Sequence, residues 1–170
     1  NEQESLFQPR RDSVAFRSVK AEAASILNAL PRQGLEEYEL RFGPVARHLL
    51  DKALDAGDVQ ALAEVERRYL YTEAGRQAAY LLASYHRSGG RLWSASVYLQ
   101  RLKHVRLLSD DQRALLSLEL AICWLFAGRP DAARSELKQW KESWPHASVQ
   151  LGGTEIAVYA DGEDPYHWLR

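Results

Sequence analysis

Three glycines, Gly57, Gly90 and Gly128, stand 33 and 38 residues apart, and each closes a run of apolar residues at helical spacing. A glycine just past the last apolar turn is a favoured helix stop, because it takes up the left-handed backbone that a Cβ opposes. Before Gly57 the stripe is Ala46, Leu49, Leu50 and Ala53; after it Asp58 can cap a helix lined by Val59, Leu62, Val65 and Tyr69. Before Gly90, behind a Thr72 cap, come Ala74, Ala78, Leu81, Leu82 and Tyr85, and after it Leu92, Ala95, Tyr98, Leu99 and Leu102. Before Gly128, Ser109 and Gln112 match a capping box, opening a helix through Leu115, Leu118, Ala121, Ile122, Trp124 and Leu125. That helix is apolar almost all round, so it is expected at the centre of the fold. Gly128-Arg129-Pro130 then turns the chain into a last helix with Ala133, Leu137, Trp140 and Trp144 inward and Pro145 as its stop. A period near 34 residues marks tetratricopeptide-like hairpins, which stack because one hairpin alone cannot bury its apolar face. Ala121, Gly128, Ala132 and Pro145 of the last unit fit that repeat best. The expected fold class is therefore all-α, a superhelix of stacked helix hairpins.

The flanks differ. Residues 1–12 are polar and aperiodic, an expected extended or disordered lead-in. From Ser13 the spacing of Val14, Val19, Ala23, Ile26, Leu27 and Leu30 predicts a helix capped by Asp12 or Ser13 and stopped by Pro31. Leu35–Phe42 reads as a short helix before Gly43-Pro44, which either breaks or kinks the chain; Pro44 suits the first position of a new helix. The helical-repeat domain thus spans 13–145. In 146–170, Ala147, Val149 and Leu151 alternate, Gly152-Gly153 supplies a two-residue turn, and Thr154, Ile156 and Val158 alternate back, predicting a small C-terminal β-hairpin laid on the helices. PYHWLR at the end reads as the start of a truncated element, and the absence of methionine suggests a piece of a longer protein.

Chemistry is sparsely signalled. A formal net charge of −1 gives no field to recruit nucleic acid or anionic lipid. The lone Cys123 lies in the apolar run AICWLFAG, as a buried structural thiol would. His48, His86, His104, His146 and His167 show no i, i+3 or i, i+4 pairing, and no HExxH or CxxC occurs, so no metal or cofactor is assigned. His86 and His104 read as exposed histidines near helix ends. Glu36, Glu37 and Glu39 read as a solvated helix face rather than a catalytic pair. Arg101, Lys103, His104 and Arg106, near Trp93 and Tyr98, either contact phosphates or serve the carbonyl end of a helix dipole. No catalytic residue is nominated, and the chain reads as a non-enzyme.

Of the five tryptophans, Trp124, Trp140 and Trp144 occupy apolar helical positions. Trp93, beside the Gly89-Gly90 turn, is the expected surface anchor, since Trp, Tyr and Arg dominate binding hot spots. The candidate interaction surface is Tyr85, Arg91, Trp93, Tyr98 and Arg101. The stretch Tyr38–Leu82 is expected to form one hairpin bounded by Pro44 and Gly75, stacked on the helix that carries Trp124.

YELRFGPVARHLLDKALDAGD, then ALAEVERRYLYTEAGRQAAYLLASYHRSGG and LQRL, resembles a helical region of large planctomycete-type proteins. In that family the region precedes pyrroloquinoline-quinone-like β-propeller repeats, related to the propeller lipoprotein of outer-membrane protein assembly. The resemblance runs from about Leu6 to Leu169 and is densest between Tyr38 and Leu102. It implies an extracytoplasmic, envelope-associated protein with a downstream propeller. The Trp-rich blade repeats do not occur here, so no quinone site is carried over. The expected function is a non-enzymatic scaffold or protein-interaction module, its partner a protein, a peptide or the parent chain's own propeller. The alternative is an accessory domain of a quinone-dependent propeller enzyme.

Overall fold

The computed structural model describes the backbone of residues 6–7, 17–144, 148–151 and 154–157, and side chains between 22 and 144. Strand β1 (Leu6–Phe7) pairs antiparallel with β2 (Arg17–Ser18), and helix α1 (Val19–Ala29) follows directly. The helix expected from Ser13 therefore begins at Val19, and the nominated caps Asp12 and Ser13 lie outside the described residues. Its inner face is Ala24, Leu27 and Leu30, while Ile26 points outward.

Helix α2 (Arg32–Asp55) is one continuous helix with Pro44 inside it, not a short helix followed by a new one. Proline removes one backbone donor and crowds the residue before it. Here the residue before it is Gly43, which has no Cβ to clash, and the deprived carbonyl belongs to the exposed Leu40, where water can reach it. Both halves are anchored by burial, through Leu35 on one side of the proline and Ala46, Leu50 and Ala53 on the other.

Among the described residues, six of the seven helices form three glycine-turned pairs: α2 with α3 (Val59–Tyr69), α4 (Glu73–Ser88) with α5 (Leu92–Lys103), and α6 (Asp110–Phe126) with α7 (Pro130–Ser143). From α2 to α7 each helix packs on the next, and α2 also touches α4. All three turns are the same Schellman motif. Gly57, Gly90 and Gly128 have φ of 61°, 70° and 75°. The N–H after each glycine donates to the carbonyl five residues back, from Asp58 to Ala53, Arg91 to His86 and Arg129 to Trp124, at 2.8–2.9 Å. The expected caps form too. Asp58 accepts from the N–H groups of Gln60 and Ala61, Thr72 from that of Gly75, and Ser109 with Gln112 closes a full capping box.

The apolar residues separate into two cores. One gathers Ala46, Leu50, Ala53, Leu62, Val65, Ala74, Ala78 and Leu82; the other gathers Ala79, Ala83, Leu99, Leu102, Leu120, Cys123, Trp124 and Ala133, among others. Within Tyr38–Leu82 most buried apolar residues thus fill the first core, while Leu70, Tyr71 and Ala79 join the core that contains Trp124. Two helices serve both cores: α2 gives Ala46, Leu50 and Ala53 to one and Leu35 to the other, and α4 turns Ala74, Ala78 and Leu82 to the one and Ala79 and Ala83 to the other. That place had been expected for α6, which is buried on several sides between α5 and α7 but leaves Leu115 and Phe126 exposed. Trp140 is buried and its Nε1 donates to the Ala114 carbonyl at 2.9 Å, locking α7 to the first turn of α6.

Beyond the helices, strands β3 (Ser148–Leu151) and β4 (Thr154–Ala157) pair antiparallel with Val149 opposite Ile156. The expected Gly152-Gly153 turn, the Pro145 stop and the residues from 158 onward lie outside the described residues.

Candidate interaction surface

The α4–α5 turn brings together three of the five nominated residues. The turn's Schellman geometry sets Arg91 back over the end of α4, where its guanidinium lies 4.8 Å from the centre of the Tyr85 ring. Arg91 Nε also donates to His86 Nδ1 at 2.9 Å, so the neutral ring carries its proton on Nε2. His86 in turn stacks on Tyr98, centroids 5.5 Å apart and planes 9° from parallel. Tyr85, Arg91, His86 and Tyr98 therefore form one continuous chain of contacts, in which His86 and Tyr98 are the stacked pair. Burial first, and then the Arg91 charge, pull the His86 pKa below the ordinary histidine value. His86 is half-buried, contrary to the exposed placement expected of it, because Tyr98 and Arg91 cover its ring.

Trp93 belongs to a second cluster. Its side is 55% exposed, and its ring meets Trp124 edge-on at 5.1 Å. Arg129, from the α6–α7 turn, lies over both indoles at 5.6 and 5.9 Å. The Trp93 ring is thus exposed on one side and fixed on the other.

Arg101 does not join either cluster. It is bound to Glu66 of α3 at 2.8 Å, and Glu66 is only 2% exposed. In the basic patch Lys103 pairs with Glu136 of α7, and Arg106 reaches back to the Asn28 carbonyl. Arg101 and Lys103 are thus committed to carboxylates of other helices, while Arg106 stays exposed. His104 is exposed and its Nδ1 lies 2.6 Å from the Gln100 carbonyl, at the end of α5.

No protein-family model, curated protein or solved structure matches the chain. The function must be read from the side chains.

Cys123 is fully buried, and burial pushes its thiol up, away from the reactive thiolate. Among the described residues no group of three or more His, Cys, Asp or Glu could hold a metal ion, and no helix is long and apolar enough to cross a membrane.

Two features were invisible at the sequence level. The acidic run does not all face solvent: Glu36 pairs with Arg32 on the surface, but Glu39 reaches across Gly43 to accept the Glu73 N–H at 2.7 Å. A carboxylate from α2 thus caps the positive end of α4. The second feature is an open cleft of about 510 Å³ between α4 and α6, walled by Arg76, Tyr80, Leu102, Leu107, Leu115 and Leu116. At its edge Tyr80 donates to Glu119 at 2.7 Å, and Glu119 pairs with Arg87 at 3.0 Å. No local pattern signals this cleft, since its walls come from two repeats and the α5–α6 loop.

Proposed function

We propose that the chain is a non-enzymatic protein-interaction or scaffolding module, built as a tetratricopeptide-like superhelix with the C-terminal hairpin laid against it. The reading is carried by Trp93, a half-exposed indole held edge-on by Trp124 and covered by Arg129. A large exposed ring in a fixed pose, beside the Tyr85–Arg91 pair, has the composition of a binding hot spot. The partner is a protein or peptide; the resemblance of Tyr38–Leu102 favours a neighbouring propeller of the parent chain, in an extracytoplasmic envelope setting.

The test is calorimetric titration of this domain with the rest of the parent protein, expressed separately. Trp93→Ala and Tyr85→Ala should each weaken binding about tenfold or more, as truncating a hot-spot aromatic does. Tyr98→Ala is a poor substitute, because Tyr98 packs against both cores and its loss would disturb folding. Binding that survives both exposed variants unchanged would remove this surface from the interaction.

A further inference from the structure

Gly89 and Gly90 share a turn for different reasons. Gly90 needs its positive φ, whereas Gly89, at φ −86° and ψ 11°, has a backbone open to other residues. What a side chain at 89 would meet is Arg91: a Cβ there would lie 2.9–3.0 Å from Nη1, Cζ and Nη2 of the guanidinium. The missing Cβ is therefore the seat of the Arg91 fork. Two further contacts hold the fork in that seat, the Tyr85 ring 4.8 Å from Cζ and His86 Nδ1 2.9 Å from Nε. α4 packs on α2, α3 and α5, yet among the described residues the one charge that bears on the His86 ring is Arg91. Tyr85 and Tyr98 flank the ring as phenols. Arg87, next in α4, pairs with Glu119 of α6, and Arg101 of α5 pairs with Glu66 of α3.

We propose that His86 and Arg91 form a pH-operated latch on the α4–α5 turn: the neutral imidazole holds the guanidinium over Gly89 and Tyr85, and protonation of Nδ1 releases it. A guanidinium can only donate, so its Nε–H needs the Nδ1 lone pair, and a proton on Nδ1 removes that lone pair. The same proton puts two cations in contact. The imidazolium keeps a support of its own, because a positive ring stacked on Tyr98 is attracted by the phenol face. Arg91 is exposed and has no such second hold on the ring, so Arg91 is the group that moves. Burial and the Arg91 charge keep the His86 pKa below the ordinary histidine value. The latch is therefore closed at neutral pH and opens as pH falls from about 6.5 through the lowered folded value. Opening uncovers the face of Tyr85. That this regulates the surface proposed above rests on that reading; the latch itself does not, and it is tested in the domain alone.

The experiment is NMR of the whole domain, labelled with ¹³C and ¹⁵N and titrated from pH about 7.5 to about 4.5. The His86 ring nitrogens report the proton, and ¹³C relaxation at Arg91 Cδ reports the order of that side chain on the ps–ns scale. Arg91 Cδ should be ordered at the upper pH and should lose that order in step with the His86 transition. His86→Phe keeps a ring for Tyr98 but offers no acceptor, so Arg91 should be mobile at every pH. Gly89→Ala fills the seat and displaces only the end of a flexible, exposed side chain. It should mobilise Arg91 likewise and, by linkage, raise the His86 pKa. No readout involves a partner, so failure of the hot-spot reading would leave all of them unchanged. An Arg91 equally ordered across the His86 transition, an ordered Arg91 in His86→Phe, or an unchanged His86 pKa in Gly89→Ala would each overturn the proposal. So would a ring still neutral at pH about 4.5, or loss of the folded amide spectrum before Arg91 responds.

Discussion

Removing the Arg101 guanidinium should destabilise the domain, although the residue sits among candidates for surface recognition. Its Nη1 lies 2.8 and 2.9 Å from the two carboxylate oxygens of Glu66. Breaking a buried ion pair from one side costs about 3–5 kcal/mol, chiefly by leaving a desolvated charge with less compensation. Glu66 meets that condition at 2% exposed, but the Arg101 side chain is 34% exposed, so water can replace part of what is lost. About 2–3 kcal/mol is therefore expected for Arg101→Ala, between the exposed and buried limits. In a domain of this size that lowers Tm by about 4–12 °C. The assay is urea unfolding followed by tryptophan fluorescence, run on Arg101→Ala, Glu66→Gln and the double variant. A coupling of about 1–3 kcal/mol in that cycle identifies a direct pair. Strict additivity, or an Arg101→Ala variant within about 0.5 kcal/mol of wild type, would refute the reasoning and return Arg101 to the surface.

Three further outcomes are expected. Trp140→Phe loses the Nε1–Ala114 hydrogen bond and part of the ring in a sealed site, and should cost about 1–3 kcal/mol in the same urea assay. Gly75→Ala should cost at least about 3 kcal/mol or prevent folding, because a Cβ there collides with the Tyr69 carbonyl, a backbone atom that cannot swing aside; soluble yield and thermal melting read it. His86 titrates below its unfolded-state value, so the folded protein favours the neutral ring. Its contribution is complete above pH about 6.5 and is lost as pH falls from there through the lowered folded value, levelling off below it. Melting curves between pH 7.5 and 4.5 should show that loss in wild type, and His86→Gln should flatten it.

The parts of this fold that were legible in the chain are those written within a few residues. Gly57, Gly90 and Gly128 stop helices in one shared geometry, and Asp58, Thr72 and Ser109 start them, because caps and stops are satisfied locally. Pro44 was misleading for the opposite reason. Its neighbours in sequence favour a boundary, but burial on both sides of it carries α2 through. The site followed the same division. Tyr85 and Arg91 flank a single turn and could be paired on sight, whereas Arg101 was claimed by Glu66 from another helix. The exposure of Trp93 could be expected from its place beside the Gly89-Gly90 turn, but Trp124 and Arg129, which hold it, are more than 30 residues away.

The two-sided burial of α4 bears on how the domain comes apart. Its alanines let neighbouring helices approach closely on both sides, so it acts as a party wall between two rooms. Either room can lose its packing while the other keeps the wall upright, and partial opening then requires less free energy than full unfolding. Tyr98, packed against both cores, spans the gap between them. A partner that grips the His86–Tyr98 stack would pin both rooms at once, so binding there would register as slowed amide exchange in helices it never touches.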